Sequence, residues 1–443
     1  MITARAFAGK HYAVYGLARS GIATVEALLA SGAKVTAWDG KEEARANAPA
    51  RADIANLDEA DLTQFDSLVV TPGLPLNRHP IAQRARDAGV EIIGDIELFA
   101  RARPELPPHK VVGITGTNGK STTTALVHHI LKTAGVPTTM GGNIGLPILA
   151  QDTLAEGGVY VLELSSYQID LTQSLDCDVA VLLNITPDHL DRYESFEAYV
   201  ASKARLFDMQ SQGHMAIFVS EDEAAARIDR DVRAKRKMTE GQFAGWSLGV
   251  GTVDASGQLD QAHWAALQGP HNKLNVLAAK SVIASLFEHW SECPPSLVEQ
   301  ALRTYPGLPH RMERVREKNG VLFVNDSKAT NPTATAPALA AFESIRWILG
   351  GQAKTDNLDE CAPHFRHVRS AYTIGEAAEL FERLLSPHMP VKNCGKLDEA
   401  VRQAAQDAKP GDTVLLSPAC ASFDQFRDFE DRGDQFRELV RAL

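Results

Sequence analysis

Short runs of apolar residues alternate with glycine turns and amphipathic segments along the chain. Residues 11–15 (HYAVY) form one such run, and Gly16 and a helical pattern through Leu29 follow it. The next apolar runs are 34–38 and 67–70, and a Thr-Pro-Gly turn closes the second of them. A strand, a glycine turn, a helix and a second strand make up a βαβ unit. The beginning of the chain therefore predicts an α/β domain with a parallel sheet.

The same alternation recurs twice further along the chain, which predicts three doubly wound (Rossmann-like) α/β domains. The further strands are expected at 110–115, 159–164, 179–184, 321–325, 346–350, 371–374 and 413–417. A proline cluster near residue 105 and a Gly-Leu-Pro turn at 307 indicate boundaries, so we expect domains at 1–98, 99–306 and 307–443. Ligand sites are expected at the carboxyl ends of the strands.

Length and composition narrow the protein class. The 443 residues suffice for about three domains, and 44% apolar and 23% charged residues are ordinary values for a globular protein. A net charge of −11 argues against a protein that wraps nucleic acid, although a local pocket can still attract an anion. The five cysteines are widely spaced, which favours a reducing compartment. Without a signal-like start or an apolar run of about 20 residues, we expect a cytoplasmic protein with no membrane span.

The strongest chemical signal is the segment 116–122 (GTNGKST), directly after the strand at 110–115. A glycine loop at the start of a helix presents backbone N–H groups to phosphates. Lys120 can neutralise those phosphates, and the hydroxyl of Ser121 can reach Mg²⁺. Ile114 stands where a strict Walker A loop has glycine, and the alternative is a simple helix-capping turn. We favour nucleotide binding, which makes the central domain a P-loop-like ATP-binding domain.

Candidate metal ligands follow the next two strands. Glu163 ends one strand, where a second oxygen ligand for Mg²⁺ is wanted. On its own such a glutamate is more typical of an acid at the start of a helix, but the neighbouring glycine loop favours the metal. His189 lies in the segment 184–191 (NITPDHLD) beside two acids, and a helix cap or a surface histidine is the alternative interpretation. Lys203 lies on the helical segment 196–207, and on its own it is more typical of a solvated or salt-bridged lysine.

The first and third domains carry weaker signals. The turn 16–21 with Asp39 resembles a dinucleotide fingerprint, but Ala18 replaces its second glycine, so a purely structural turn and a nucleotide-diphosphate site both stay open. Three polar loops follow strands of the third domain at 325–332, 350–354 and 417–426. Lysines and hydroxyls on one sheet edge suggest a site for an anionic substrate. Cys420 has no readable His or Asn partner, and we interpret it as structural.

Taken together, these motifs resemble those of the Mur ligases, the ATP-dependent amide-forming enzymes of peptidoglycan precursor synthesis. The segments similar to the whole group are 116–122, 184–191 and 271–275. Those similar to its D-glutamate-adding branch are 307–311, 325–331 and 417–426. The resemblance covers all three predicted domains in order. It implies that the first domain binds a UDP-sugar, the central one ATP and the third the amino acid.

The resemblance implies a reaction: ATP-dependent ligation of D-glutamate to UDP-N-acetylmuramoyl-L-alanine through an acyl phosphate, with release of ADP and phosphate. It implies ATP, two Mg²⁺ ions and a carbamylated Lys203, and we expect a monomer with no nucleic-acid partner. A ligase that adds another amino acid or L-glutamate is one alternative. A nicotinamide dehydrogenase and a non-catalytic nucleotide-binding switch are the others, but the dehydrogenase leaves the lysine-bearing loop without a role.

Residue roles carry over position by position under this resemblance. The ATP positions are Thr117, Asn118, Gly119, Lys120, Ser121, Thr122, Thr123, Asn275, Arg311 and Asp326. The UDP-sugar positions are Gly16, Leu17, Ala18, Arg19, Asp39, Thr71, Pro72, Gly73 and Asn143. The glutamate positions are Thr330, Lys354, Ser422 and Phe423. Ser121 and Glu163 are expected to bind one Mg²⁺ and His189 and Lys203 the second, and Lys120, His189 and Lys203 are the expected catalytic residues.

Overall fold

The computed structural model describes residues 1–188, 191–219, 222–235, 259–268, 270–287 and 293–443. The chain divides into two compact units. The first contains Met1–His263 and Pro270–Thr304, and the second contains Trp264–Gly269 and Tyr305–Leu443. Among the described residues, no helix combines the length and the hydrophobicity needed to cross a bilayer.

The first sheet of the first unit is entirely parallel, with the order β3-β2-β1-β4-β5. Its strands are β1 (His11–Tyr15), β2 (Lys34–Trp38), β3 (Asp53–Ile54), β4 (Ser67–Val70) and β5 (Glu91–Ile93). Its helices are α1 (Arg19–Ala30), α2 (Glu42–Ala46), α3 (Pro80–Asp87) and α4 (Asp95–Ala102). The strand order reverses between β1 and β4, which makes their carboxyl ends the place where a doubly wound sheet binds its ligand.

The second sheet of the same unit is also parallel, with the order β10-β9-β6-β8-β7. Its strands are β6 (His109–Thr115), β7 (Thr138–Gly142), β8 (Gly158–Glu163), β9 (Val179–Leu182) and β10 (Met215–Phe218). The helices are α5 (Lys120–Thr133), α6 (Ser166–Asp170), α7 (Phe196–Asp208), α8 (Glu223–Lys235), α9 (Pro270–Leu286) and α10 (Pro295–Thr304). Strand β6 is central, so the loop that follows it is flanked by the ends of β8 and β9.

The two sheets of the first unit share apolar packing. One cluster of buried side chains extends from Tyr12 and Val14 of the first sheet to Leu162 and Leu182 of the second. The buried carboxylate of Glu97 on α4 accepts hydrogen bonds from the backbone N–H groups of residues 173 and 174, at 2.7 and 2.9 Å. Contacts between loops of the two sheets can therefore be described as contacts within one compact body.

The second unit has a mixed sheet with the order β11-β12-β16-β13-β14-β15, in which only β11 is antiparallel to its neighbour. Its strands are β11 (Glu313–Lys318), β12 (Val321–Asn325), β13 (Ile345–Gly350), β14 (Val368–Ile374), β15 (Val391–Gly395) and β16 (Thr413–Leu416). Its helices are α11 (Pro332–Ala340), α12 (Ala378–Leu385), α13 (Leu397–Asp407) and α14 (Phe429–Ala442). The last strand of the chain thus lies between β12 and β13.

Several helices begin where a side chain satisfies the first free backbone N–H groups. Ser165 and Gln168 form a capping box at α6, and Ser195 accepts from the backbone N–H of residue 198 at α7. Asn331 caps α11, and Pro332 occupies the first helical position, where no N–H is needed. The cap at α7 fixes the start of the helix that carries Lys203.

The expected fold class is confirmed, since the three sheets and their flanking helices form three doubly wound α/β layers. Each strand expected from an apolar run is present within a few residues of its expected bounds. The predicted boundary at 98 falls inside α4, and the boundaries at 98 and 306 stay predictions.

Candidate active site

The loop between β6 and α5 adopts a backbone that glycine permits. Gly116 has φ +150° and Gly119 has φ +83°, and Gly119 directly precedes the first residue of α5. A Cβ atom at Gly119 would lie 2.5 Å from Oδ1 of Asn275. The helix therefore begins on a bare backbone whose N–H groups are available to an anion, and Asn275 packs against the turn.

Side chains from the end of β9 hold this loop in place. Asn184 accepts the backbone N–H of Thr117 through its carbonyl oxygen and that of Asn118 through Oδ1, both at 2.8 Å. The hydroxyl of Thr117 lies 3.1 Å from that of Tyr199 on α7 and accepts from the backbone N–H of Thr186 at 3.0 Å. The phosphate loop is thus fixed by two neighbouring elements.

Two lysines converge on one backbone carbonyl. Nζ of Lys120 donates to the oxygen of Gly116 at 2.9 Å, and Nζ of Lys203 donates to the same oxygen at 3.0 Å. Lys203 is 1% exposed and packs over the ring of Tyr199 at 4.7 Å. Burial lowers the pKa of Lys203 to about 7, and the charge of Lys120 acts in the same direction. A substantial fraction of Lys203 is therefore neutral at physiological pH.

Glu163 presents a buried carboxylate with one unused oxygen. Its Oε1 accepts a hydrogen bond from the side-chain amide of Asn143 at 2.9 Å, whereas its buried Oε2 has no hydrogen-bond partner. Buried polar atoms are usually paired, so an unpaired carboxylate oxygen indicates a ligand. Among the described residues, no three His, Cys, Asp or Glu side chains cluster as a metal site. Any cation here would take further oxygens from hydroxyls, phosphates or modified side chains.

The turn between β1 and α1 in the first sheet is shaped by glycines and by one acid. Gly16 has φ +99°, and a Cβ atom at Gly21 would lie 1.8 Å from the carbonyl oxygen of Gly16. Asp39 at the end of β2 accepts from the backbone N–H of Leu17 at 2.8 Å and of Lys41 at 2.9 Å. Helix α1 begins after Ala18, which supplies no capping side chain. Its first N–H groups are available to a ligand.

Residues expected to bind the sugar nucleotide meet the second sheet. Nη2 of Arg19 donates to the carbonyl oxygen of Gly145 at 3.4 Å. Arg192, which follows β9, donates to carbonyl oxygens of the loop that begins at Thr71. The structure therefore brings the expected UDP-sugar positions of the first sheet to the edge of the second sheet that carries Asn143 and Glu163.

The three polar loops of the second unit are held at one sheet edge by a buried guanidinium. Arg432 on α14 is 0% exposed. It donates to the carbonyl oxygens of Ser327, Gly350, Cys420 and Ala421 at 2.9 to 3.4 Å, and to the hydroxyl of Ser327 at 3.0 Å. A single side chain thus joins the loops that follow β12, β13 and β16. Burial raises the pKa of the Cys420 thiol to about 12, which fits its structural interpretation.

Two of the expected glutamate positions contact each other. Nζ of Lys354 lies 3.4 Å from the hydroxyl of Thr330. Ser422 is buried, and Phe423 beside it is 69% exposed. Lysine and hydroxyl groups on one edge suit a carboxylate ligand.

The expected nucleotide positions are divided between the units. Asn275 belongs to the first unit, whereas Arg311 and Asp326 belong to the second. Asp326 is buried and accepts from the hydroxyl of Ser417 at 2.8 Å and the backbone N–H of Met312 at 3.1 Å. Burial raises the pKa of Asp326 to about 7. His189 lies outside the described residues, so its predicted role has no structural counterpart here.

Sequence reasoning missed Tyr199, Arg192 and Arg432. A signal existed for two of them. Tyr199 precedes Lys203 by four residues, which puts both on one face of α7. Arg432 occupies the buried stripe of α14, together with Gly433, Phe436 and Val440. An arginine on an otherwise apolar helix face predicts that buried hydrogen-bond acceptors surround its guanidinium.

Three domain families match consecutive parts of the chain. The Mur ligase MurD-like N-terminal domain matches residues 10–94, the Mur ligase middle domain matches 114–283, and the Mur ligase glutamate ligase domain matches 310–420. Curated relatives match its full length. UDP-N-acetylmuramoylalanine–D-glutamate ligase of Novosphingobium aromaticivorans is 60% identical over 100% of this chain and 97% of its own. That of Sphingopyxis alaskensis is 56% identical over all of both chains. This chain belongs to the Mur ligase family.

The fold of the Mur ligases is also found among solved structures. UDP-N-acetylmuramate–alanine ligase MurC of Thermotoga maritima has a TM-score of 0.58 at 16% identity, over 98% of this chain and 99% of that one. MurF ligase of Thermotoga maritima, solved in complex with ADP, has a TM-score of 0.54 at 16% identity, over 99% and 97%. At such identities the likeness concerns the fold. The expected family is therefore confirmed by the relatives and the expected architecture by the structures.

Proposed function

We propose that this chain joins D-glutamate to UDP-N-acetylmuramoyl-L-alanine in an ATP-dependent step of peptidoglycan precursor synthesis. The observation that carries the proposal is the contact between Asn143 and Glu163. It puts an expected UDP-sugar position against an expected metal position, on the sheet that also carries the phosphate loop. Relatives that match the chain over its whole length bear the name of this ligase.

Phosphoryl transfer between two anions requires their charges to be offset. The carboxylate of the L-alanine residue attacks the γ-phosphorus of ATP. A bond forms between the carboxylate oxygen and phosphorus, the bond between phosphorus and the terminal oxygen of ADP breaks, and ADP leaves. Lys120 is the first residue of α5, and its Nζ donates to the carbonyl oxygens of Gly116 and Thr117 in the loop where the helix N–H groups would receive the phosphates. The repulsion between the carboxylate and ATP is lowered by this preorganised positive charge, which is the main source of catalysis in such reactions.

A magnesium ion fits Glu163, because the unpaired Oε2 of this buried side chain is an oxygen donor of the kind that Mg²⁺ prefers. Ser121, which is buried at the first turn of α5, would supply a hydroxyl ligand. When bound, Mg²⁺ neutralises phosphate charge and orients the transferred group. The second ion is assigned to His189 and to a modified Lys203.

Carbamylation of Lys203 is part of the proposal, and its burial supports it. The neutral amine attacks CO₂, an N–C bond forms and a proton is released, which converts an ammonium cation into an anionic oxygen ligand. Because burial and Lys120 lower the pKa of Lys203 to about 7, the neutral amine is accessible at physiological pH.

The acyl phosphate is consumed by the amine of glutamate. The neutral amine nitrogen attacks the activated carbonyl carbon and a tetrahedral intermediate forms. The C–O bond to phosphate then breaks, the nitrogen loses one proton to solvent, and the amide remains. Lys354 and Thr330, whose Nζ and hydroxyl oxygen are 3.4 Å apart, are proposed to bind a carboxylate of the amino acid, and Ser422 and Phe423 are proposed to contact the same ligand. The reaction is assigned to the cytoplasm, where ATP is made, and to a monomer.

The test is a substrate-dependence assay. Purified protein receives ATP, Mg²⁺ and UDP-N-acetylmuramoyl-L-alanine with either D- or L-glutamate, and ADP release and product mass are measured. We expect ADP release and a product heavier by one glutamyl residue with D-glutamate only. Equal ATP hydrolysis without the two other substrates would refute the ligase proposal. Product formation from L-glutamate would correct its stereochemistry.

A further inference from the structure

Reciprocal hydrogen bonds connect the first two sheets of the chain beside the expected UDP-sugar loop. The guanidinium of Arg192 donates to the carbonyl oxygens of Pro72, Gly73 and Leu74 at 3.3, 3.4 and 2.9 Å. In the other direction, the side chains of residues 77 and 78 donate to the carbonyl oxygen of residue 191 at 3.1 and 2.9 Å. We refer to residues 72–74, 77–78 and 191–192 as the clasp. All of its hydrogen-bond acceptors are main-chain carbonyl oxygens, so the clasp depends on the positions of the two backbone segments.

The clasp continues into an aromatic cluster of the second sheet. The guanidinium of Arg192 lies 4.4 Å from the ring centroid of Tyr167, which stacks on Tyr193 with centroids 6.0 Å apart and planes 15° apart. The hydroxyl of Tyr193 donates to the carboxylate of Asp170 at 2.8 Å and lies 3.2 Å from the hydroxyl of Ser202. Contacts therefore run from Arg192 to Ser202, the residue that precedes Lys203.

The same cluster ends at the phosphate loop. Tyr193 packs on Tyr199 with ring centroids 5.4 Å apart. The ring of Tyr199 supports Nζ of Lys203 at 4.7 Å, and its hydroxyl lies 3.1 Å from that of Thr117. Contacts are thus continuous from Pro72, in the UDP-sugar loop, to Thr117, in the loop that receives ATP.

We propose that Arg192 is a positioning residue that couples binding of the UDP-sugar to binding of the nucleotide triphosphate. The inference rests on the proposed function, because it takes the two loops as the sites of those substrates. A sugar nucleotide bound at Thr71–Gly73 holds the three carbonyls in place. The guanidinium of Arg192 then holds Tyr167, Tyr193 and Tyr199 in place and, through them, Lys203 and Thr117. By linkage, the nucleotide tightens the sugar site by the same factor.

Geometry favours arginine for this role. A planar guanidinium can donate several N–H bonds in fixed directions while its face packs on an aromatic ring. Lysine keeps the positive charge but lacks the several N–H donors in fixed directions and the planar group that packs on a ring. A residue that served only to hold the fold would affect thermal stability and leave the coupling intact, so the two roles give different measurements.

The experiment measures coupling directly, because continuous contact alone does not establish it. The ATP analogue AMP-PNP, with Mg²⁺, is titrated calorimetrically into the protein with and without saturating UDP-N-acetylmuramoyl-L-alanine. In the unaltered protein we expect the sugar nucleotide to tighten AMP-PNP binding about fivefold or more. The coupling ratio is the Kd for AMP-PNP without the sugar nucleotide divided by the Kd with it. In Arg192→Lys we expect this ratio to fall to within twofold of one, while the Kd for AMP-PNP alone stays within twofold of the unaltered value.

The matched control is Arg103→Lys. Arg103 is also half-buried and also donates to a backbone carbonyl, that of Asp176, but it lies outside the clasp. We expect this variant to keep the full ratio. An unchanged ratio in Arg192→Lys, or an equal loss in Arg103→Lys, would overturn the inference.

A second variant keeps the test decisive if Arg192→Lys fails to fold. Tyr193→Leu removes the ring that stacks on Tyr167 and packs on Tyr199, together with the hydroxyl that contacts Asp170 and Ser202. We expect it to reduce the ratio at least twofold, and an unchanged ratio would overturn the path. Absence of coupling in the unaltered protein would also refute the inference, even where the glutamyl product is formed. Absence of product would instead refute the proposed function.

Discussion

Two turns of the first unit have the same construction and differ in what holds them. Both connect a central parallel strand to a helix through glycines with positive φ, Gly16 after β1 and Gly116 and Gly119 after β6. The turn after β1 is fixed by close backbone packing and by Asp39. The loop after β6 is fixed by side chains from other elements, including Asn184 and Tyr199.

The difference follows from the charge that each turn handles. The turn after β1 offers backbone N–H groups and needs only its shape, so packing suffices to preserve it. The loop after β6 additionally carries Lys120, and Nζ of Lys203 lies on the same carbonyl oxygen, so the roles proposed for these two side chains require both nitrogen atoms to keep fixed positions. Substitutions in the β6 loop should therefore lower turnover, whereas substitutions in the β1 turn should lower stability first.

The largest effect is expected from Lys120→Ala. Loss of the ammonium group at the start of α5 removes positive charge from the phosphates, and kcat should fall about 1,000-fold or more. ADP release in the presence of all substrates measures this loss. Lys132→Ala, at the exposed far end of the same helix, is the control and should keep normal turnover. If Lys120→Ala kept more than a tenth of wild-type kcat, the phosphate-loop assignment would be wrong.

The next effect concerns Lys203. In Lys203→Ala, turnover should fall at least 100-fold, because the proposed anionic oxygen ligand is lost with the side chain. Added formate or acetate should restore part of it, since a small carboxylate can occupy the space that the side chain leaves. Chloride at equal ionic strength is the control and should restore none. A fully active Lys203→Ala would exclude the carbamate.

A stability effect is expected at the β1 turn. In Gly21→Ala the new Cβ atom would lie 1.8 Å from the backbone oxygen of Gly16, so the turn must open, and we expect a loss of about 2–3 kcal/mol in the free energy of unfolding. Gly40→Ala, where no atom lies within 4 Å of the added Cβ, is the matched control. Urea unfolding of both variants measures the difference. Equal stability of the two would show that packing does not hold the turn.

The smallest loss is expected from Asp95→Asn, which should instead gain stability; Asp95 lies beside Ser20, Gly21 and Thr71 beneath the same turn. Burial raises the pKa of Asp95 from 3.8 to about 6. Between these two pH values the native chain keeps a proton that the unfolded chain has lost. The free energy of unfolding therefore falls as the pH rises, and this destabilisation reaches its full value above pH 6. Asp95→Asn should therefore be more stable than wild type by up to about 3 kcal/mol at pH 7.5, with the gain disappearing below pH 4.

Unfolding at several pH values measures the Asp95 effect. Asp53→Asn, which removes an exposed carboxylate of the same sheet, is the control for the loss of one negative charge. A gain in Asp95→Asn that stays constant from pH 4 to pH 7.5 would contradict the assignment to ionisation of Asp95.

Most of the sheet architecture could be predicted because buried parallel strands are continuous apolar runs. The edge strands of all three sheets were missed, namely Asp53–Ile54, Glu91–Ile93, Thr138–Gly142, Met215–Phe218, Glu313–Lys318 and Val391–Gly395. Asp53–Ile54 is too short to carry a pattern, and Glu313–Lys318 (ERVREK) is a charged strand. At the site, Lys120, Glu163 and Lys354 could be named from motifs at strand ends. Arg192 could not, since its partners are backbone carbonyls more than a hundred residues away in sequence.

The position of β16 has a consequence for folding of the chain during its synthesis on the ribosome. The strands of the first sheet lie between residues 11 and 93, so this layer can pair early in translation. In the third sheet, Thr413–Leu416 fills the gap between β12 and β13. Until those four residues emerge, the sheet remains two separate ribbons with open inner edges, which are prone to wrong pairing. A nascent chain released shortly before residue 413 would therefore be a substrate for chaperones and proteases.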